Sequence, residues 1–433
     1  MKEIGVGLLG FGTVGAGVVE CLQKNSDLIA ERTGVRLVMR RIADLDLTTD
    51  RGVAVNRKIM TKDAQAVVMD GQVHIVVELI GGTTIARKLT LEALGEGKPV
   101  VTANKALLAE HGDELYDAAE RYNADLLFEA SVGGGIPIIR SLREGLAGNR
   151  IQQICGILNG TCNYILTRME NEQLPFDQVL REAQQAGYAE AEPSLDIDGL
   201  DTAHKAVVLA TQAFGSPVHM DDVPVSGIRG INAIDIKYAA GLGYRIKLLA
   251  VIKHDGEALE VGVHPALVPH SHMMASVSHA YNAVLVRGDV VGETLYYGEG
   301  AGRAATASAV VGDIIDAARN IVARKPRRVP AFMLRSNKAV IRPKEDVWSR
   351  YYLRLSVKDQ PGMLARVAHI LGGHGISIAS VMQQEARAGA LVPVIILTHA
   401  ARQGGLLAAL REIDALEQVG APTIRYRIED FTL

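Results

Sequence analysis

Aromatic side chains are scarce in this chain: one tryptophan, six phenylalanines and twelve tyrosines make up 4% of 433 residues. So few flat rings offer no platform for stacking unpaired nucleobases. An excess of one charge is also lacking. A formal net charge of −3 leaves no basic footprint for nucleic acid or for an anionic membrane. Cys21, Cys155 and Cys162 are odd in number and too sparse for a disulfide framework, so they read as reduced thiols. No apolar run approaches the roughly 18 residues of a membrane span. The opening MKEIGVGLLGFG has no signal-peptide pattern. The expectation is a cytoplasmic protein of several domains.

Apolar residues are plentiful at 48%, enough for more than one core in a chain of this length. The first 140 residues alternate short apolar runs (IGVGLLG, VRLVMRRIAD, VHIVVELIG, KPVVTAN) with helical stretches such as IARKLTLEALGEG. That alternation predicts an α/β fold, a Rossmann-type doubly wound parallel sheet. Between 141 and 297, long helical segments lead into RIKLLAVIKHDG, ALEVGVHPALV and NAVLVRG, which predicts an α+β domain with a mainly antiparallel sheet. GEGAGRAATASAVVGDIIDAARN, 298–320, reads as a glycine-opened helix rich in small residues, and proline-rich, charged 321–350 reads as a linker. From 351 to 433 the order is βαββαβ, a ferredoxin-like domain.

Gly10, Gly12 and Gly15 form G-x-G-x-x-G between the first strand and the first helix. In that setting the first glycine permits a tight turn, the second close approach to a pyrophosphate, and the third helix–strand packing. The helix N-terminus behind them then faces phosphate oxygens with free N–H groups. Asp44, after the second strand, suits a ribose 2′-hydroxyl and favours NAD. Arg40, Arg41, Arg57 and Lys58 suit a 2′-phosphate instead, so both dinucleotides stay open.

TANKALL places Asn104 as a helix cap and Lys105 as the first helical residue. A cation there opposes the helix dipole at a cost of roughly a few tenths of a kcal/mol, which favours a functional reason for it. In YAEAEPSLDIDGLDTAHK, Glu190, Glu192, Asp196, Asp198 and Asp201 crowd ahead of Lys205. Asp201 and Lys205 share a helical face, so a plain ion pair is one reading. The spacing matches neither a calcium loop nor a histidine–carboxylate metal triad. An ammonium-bearing substrate held by carboxylates, with a lysine poised for proton transfer, is the other reading. His264, His270, His272 and His279 lack cysteine partners and argue weakly for zinc. EASVGGGIP is a glycine turn whose carbonyls suit a small hard cation or a mere tight connection.

These segments resemble the homoserine dehydrogenase family. AQQAGYAEAEPSLDIDGLDTAHK matches its signature at Gly187, Glu190, Pro193, Asp196, Gly199, Asp201 and Lys205. GFGTVG, TANKALL, EASVGGGIPII, ILNGTCNYIL and GEGAGRAATASAVVGD add to the match over roughly residues 1–320. KDQPGMLARVAHIL resembles the D-x-P-G-x-L opening of an ACT domain, as in monofunctional bacterial members of the family without a fused aspartate kinase. The resemblance implies interconversion of L-homoserine and L-aspartate 4-semialdehyde, toward threonine, methionine and isoleucine. It implies Lys205 as proton donor, with Lys105 beside cofactor and substrate. Glu190, Asp196, Asp201 and the Gly187 backbone would hold or shape the substrate site. Cofactor contacts are implied at Gly10, Phe11, Gly12, Thr13, Val14, Gly15, Arg40, Asp44, Gly81, Thr102, Lys105 and Gly302. A sodium ion is implied at Glu129, Val132, Gly134 and Ile136, mostly through carbonyls. Asp359, Gly362 and Leu364 would mark an amino-acid effector loop, in a homodimer or homotetramer. A sensor that has lost catalysis, or a dehydrogenase for a related hydroxy or amino acid, fits the same motifs less well.

Overall fold

The structure is a computed structural model, described for residues 2–330, 339–383 and 391–431. In chain order its first seven strands are β1 (Lys2–Leu9), β2 (Val35–Ala43), β3 (Met60–Thr61), β4 (Ile75–Glu78), β5 (Val100–Thr102), β6 (Leu126–Leu127) and β7 (Ile151–Ile157). Next come β8 (Tyr244–His254), β9 (Leu259–Pro269), β10 (Tyr281–Gly288) and β11 (Gly292–Glu299). The C-terminal strands are β12 (Trp348–Lys358), β13 (Ile378–Gln383), β14 (Leu391–Thr398), β15 (Ala401–Arg402) and β16 (Val419–Ile428).

Two compact units form. The first comprises Met1–Gly160, Asp201–Val223 and Tyr281–Ala339. Its parallel sheet runs in the order β3-β2-β1-β4-β5-β6, the doubly wound order with the topological switch between β1 and β4. Central β1 and β4 are apolar on both faces, as a sheet covered by helices on both sides requires. The returning helix Arg303–Ala323 packs beside the first helix, Thr13–Lys24. Gly17 permits the close approach: a Cβ there would lie 2.8 Å from the Arg303 carbonyl oxygen. An antiparallel strip, β11-β10-β7, completes this unit. Neither β7 nor β11 is expected from the sequence; β11 alternates poorly and is half-exposed along its length.

The second unit comprises Thr161–Leu200, Pro224–Ala280 and Val340–Leu433. Its C-terminal part follows the expected βαββαβ order, with β13-β14-β12-β16 hydrogen-bonded in sequence and helices Met363–Gly373 and Gln403–Asp414 on one face. This domain does not hang free behind a linker. Strand β16 pairs in parallel with β9 through Arg427 and Ile428, and the Leu259 backbone bonds Val340 and Arg342 inside the expected linker. The strands of the middle segment fall in both units. Its strands β7, β10 and β11 belong to the dinucleotide unit, and β8 and β9 to the C-terminal one.

Candidate active site

The glycine turn has the stereochemistry that its spacing predicts. Gly10 has φ +96°, and a Cβ there would sit 2.5 Å from the Leu79 carbonyl oxygen. A Cβ on Gly15 would come within 2.2 Å of the Gly10 carbonyl oxygen. A Cβ on Gly12 would meet open space, so that position is bare toward solvent rather than toward the protein. Gly12 is also the N-cap of the Thr13–Lys24 helix and supplies no side-chain cap, so Thr13, Val14 and Gly15 begin a helix with an uncapped positive end. The Phe11 N–H donates to the Asp44 carboxylate at 2.5 Å, and the same carboxylate accepts from the Asp46 N–H at 2.8 Å.

The arginines expected near the ribose point elsewhere. A bulge in the β1–β2 register makes Arg40 the extra residue between Met39 and Arg41. Its guanidinium pairs with Glu3 at 2.8 Å, near the start of β1 and away from the glycine turn. Arg41 pairs with Asp70 at 2.8 Å, and Arg57 donates to the Leu47 carbonyl.

At the ends of β4 and β5 the sequence reading misses Glu78. This carboxylate is fully buried and accepts from the Ile80 N–H at 2.8 Å, the Gly81 N–H at 3.3 Å and the Thr102 hydroxyl at 2.6 Å. Thr102 Oγ1 in turn accepts from the Asn104 N–H, and the Asn104 amide donates to the Gly82 carbonyl. The network fixes the two loops at the carboxyl edge of the sheet, where Gly81 has φ +81°. A single carboxylate ending an apolar strand is the signal the sequence offers. Asn104 caps the following helix by accepting from Leu107 N–H at 3.1 Å, leaving Lys105 as its first residue, as the sequence predicts.

From there Lys105 reaches Asp201, Nζ to Oδ1, at 3.2 Å. Lys205 Nζ donates to the other Asp201 oxygen at 2.7 Å and to the Leu158 carbonyl at 2.6 Å. Asn159 donates to that same oxygen at 2.9 Å. Asp201 is 8% exposed. Burial acts to raise its pKa, but the ammonium groups of Lys205 and Lys105 and the hydrogen bonds outweigh burial and hold it well below the ordinary carboxylate range. Asp201 is therefore a charged bridge between two lysines. His204, one turn away and unremarked in the sequence, has its pKa lowered, chiefly by burial.

The other four acidic residues of the cluster lie in the second unit and find separate partners. Asp198 pairs with Arg229 through two hydrogen bonds of 2.8 and 3.0 Å. Glu192 accepts from Ser194. The Asp196 carboxylate lies 3.1 Å from the Thr161 hydroxyl, which is also 2.9 Å from the Tyr188 carbonyl. Glu190 is exposed, and it alone of the cluster has no side-chain partner among the described residues. Gly187, at φ +78°, ends the preceding helix and turns the chain toward it.

At the EASVGGGIP turn the Glu129 carboxylate is occupied by the Ile139 and Arg140 N–H groups, at 2.9 and 2.8 Å. Gly133 and Gly134 have positive φ, and among the described residues the Val132 and Gly134 carbonyls accept no hydrogen bond, whereas Ile136 O accepts from Ile138 N–H. Gly302, at φ +118°, caps the Arg303–Ala323 helix. Among the described residues no three His, Cys, Asp or Glu side chains gather as a metal site.

Transfer of a hydride to or from a carbonyl needs a dinucleotide held by its phosphates and an ammonium near the oxygen. The first unit supplies both, and the class it defines is that of the nicotinamide-dependent dehydrogenases. Family models narrow this. Residues 10–129 match the homoserine dehydrogenase NAD-binding domain, 137–315 the homoserine dehydrogenase catalytic model, and 351–418 the ACT domain. A homoserine dehydrogenase of Neisseria gonorrhoeae is 44% identical over 99% of both chains. The crystal structure of one from Thiobacillus denitrificans superposes with a TM-score of 0.95 at 44% identity, covering 100% of this chain and 99% of that one. A hyperthermophilic archaeal homoserine dehydrogenase, solved in complex with NADPH, matches 73% of this chain and 98% of its own at 29% identity and a TM-score of 0.63. The chain belongs to the homoserine dehydrogenase family. It is an oxidoreductase acting on the CH–OH group of homoserine with a nicotinamide dinucleotide.

Proposed function

We propose that Lys205 is the acid–base group of this reaction, and the observation that carries the reading is the Lys105–Asp201–Lys205 bridge. Bound nicotinamide supplies hydride to the aldehyde carbon in one direction and accepts it in the other. Lys205 then stabilises the growing charge on the oxygen and gives up a proton to it. Asp201, with the Leu158 carbonyl and Asn159, aims the lysine. Lys105 stands by as a second cation next to cofactor and substrate. Glu190, the one carboxylate of the cluster without a side-chain partner among the described residues, takes the α-ammonium group of the amino-acid substrate, and Asp196 and the Gly187 backbone shape that pocket. Gly10, Gly12 and the uncapped helix start receive the pyrophosphate, with Gly81, Thr102 and Gly302 along the cofactor. Lys205→Ala abolishes turnover while leaving dinucleotide binding, read by nicotinamide fluorescence, intact. Normal turnover in that variant would refute the role.

Between dinucleotides the reading is NAD. A carboxylate at Asp44, tied to the glycine turn, repels a 2′-phosphate, and Arg40 and Arg41 are engaged by Glu3 and Asp70. Initial rates of homoserine oxidation at matched concentrations check this: faster reduction of NAD is expected, and faster reduction of NADP overturns it.

A sodium ion fits the carbonyls of Glu129, Val132, Gly134 and Ile136. The Asn282 amide, 1% exposed and without a hydrogen-bond partner among the described residues, lies against Gly300, which abuts Gly134 and leaves polar capacity beside the turn. The C-terminal domain carries a cavity of about 190 Å³ lined by Asp359, Gly362 and Leu364, suited to an amino-acid effector, and it pairs across subunits in a homo-oligomer. Among the described residues no helix is long and apolar enough to cross a membrane, in keeping with a cytoplasmic enzyme.

A further inference from the structure

Within the second unit, strands β9, β12 and β16 border a cavity of about 320 Å³, at the lower end of the roughly 300–1,000 Å³ of small-molecule sites. It is separate from the effector loop at Asp359 and Gly362, with which it shares no lining residue. Its wall is cationic: Arg229, Arg342, Lys344, Arg425 and Arg427 face it, against the single carboxylate of Glu260.

Partners cancel only part of that charge. Arg427 pairs with Glu260 at 2.8 Å, Arg229 with Asp198, and Arg342 with Asp255. Lys344 has only Glu345, at 4.0 Å, and Arg425 has no ion-pair partner among the described residues. One positive charge, that of Arg425, is thus left over around the cavity, and Lys344 is held only by Glu345 at 4.0 Å.

Two polar groups on the same wall are unsatisfied. Tyr351 is 2% exposed, yet among the described residues its hydroxyl has no hydrogen-bond partner. It is registered opposite Arg427 on the adjacent strand, so both side chains lie on one face of the sheet. Burial raises the Tyr351 pKa, and the charges acting on the hydroxyl are those of Arg427, Glu260 and Arg425, which places it among the cavity cations. The Nε2 atom of His264, on β9, is likewise buried without a partner. Buried donors and acceptors are nearly always satisfied, and an unsatisfied pair lining a charged cavity points to a ligand that satisfies them.

We infer that this cavity is a binding site for a small anion bearing a carboxylate or phosphate group and one or two negative charges. Arg425 supplies the uncompensated charge with Lys344 beside it, and the Tyr351 hydroxyl and His264 imidazole supply the hydrogen bonds. A ligand seated there touches β9 and the ACT strands β12 and β16 at once, so it stiffens the join between the ACT domain and the segment before it.

The test is titration calorimetry on the full-length enzyme saturated with NAD, which keeps the phosphate-binding helix start occupied. Inorganic phosphate and succinate are the probes, with chloride at matched ionic strength as the blank. Binding of either probe at one site per chain, absent with chloride, is expected; which of the two binds tells phosphate chemistry from dicarboxylate chemistry. Arg425→Ala, at an exposed position, weakens that binding at least tenfold and leaves homoserine oxidation without added anion unchanged. Tyr351→Phe, checked for folding by its melting temperature, weakens it several-fold. No heat beyond the chloride blank, or wild-type affinity in both variants, overturns the assignment.

Discussion

Asp313 and Asp201 are both buried aspartates, and their surroundings push them in opposite directions. Asp201 has two ammonium groups within 3.2 Å and is held charged. Asp313 is 1% exposed beside Glu129, and its pKa is raised to about 7, first by burial and then by the Glu129 charge. The signs for stability differ accordingly. Asp201 contributes stability that is present above the ordinary carboxylate pKa and lost as pH falls below it. Asp313 in the folded protein holds its proton up to about pH 7, while the unfolded chain releases it near 3.8, so its contribution declines as pH rises across that window. Asp313→Asn removes the decline. Denaturant unfolding at several pH values checks it: the stability difference, variant minus wild type, grows from about pH 4 to 7 and then levels off. A difference that does not change with pH would mean that Asp313 ionises normally. The pair with Glu129 is invisible in the sequence because the two residues come from distant segments of the chain.

At the scale of elements, the first β-turn-α unit separates glycines that shape the fold from one that leaves room for a ligand. Gly12→Ala projects a methyl group into open space, so the melting temperature stays within experimental error while the dinucleotide dissociation constant rises at least tenfold. Gly15→Ala drives a methyl group to 2.2 Å from the Gly10 carbonyl oxygen and costs roughly 1–3 kcal/mol of stability. Thermal melts and fluorescence titration on both variants separate the effects, and a destabilised Gly12→Ala would contradict the reading. The periodicity and turn residues of this unit make it legible from sequence. The strands that escape notice are the two-residue β3 and β15, the edge strand β11, and β7. Very short strands show no period, and an edge strand with one neighbour has little apolar face to display.

For the molecule as a whole, the C-terminal domain is attached through a buried charge. Asp235 is fully buried on the helix Ala233–Gly241. It accepts from Arg354 at 2.6 and 2.9 Å and from the Tyr352 hydroxyl at 2.9 Å, both from β12. Removing one member of such a group leaves an uncompensated charge inside. Arg354→Ala is expected to cost about 3 kcal/mol of stability in urea unfolding, and a loss under about 1 kcal/mol would show the attachment to be superficial. A linker followed by an independent domain is the natural sequence reading, since prolines and charges cluster over 321–350. What holds the domain in place is the pairing of β16 with β9 and the Asp235 group, and no local pattern announces either.

By itself the sequence determined the elements with strong local signals. Period and glycine spacing specify the dinucleotide turn, and βαββαβ order specifies the ferredoxin-like domain, because both are written in neighbouring residues. It also brought the five carboxylates and Lys205 into view. Only the tertiary structure decided how those charges are paired. Lys105 arrives from the end of β5 to share Asp201 with Lys205, Arg229 removes Asp198, and Glu190 finds no side-chain partner among the described residues. Burial and ion pairing are set by segments that meet only after folding, so the identity of a charge is local while its partner is not.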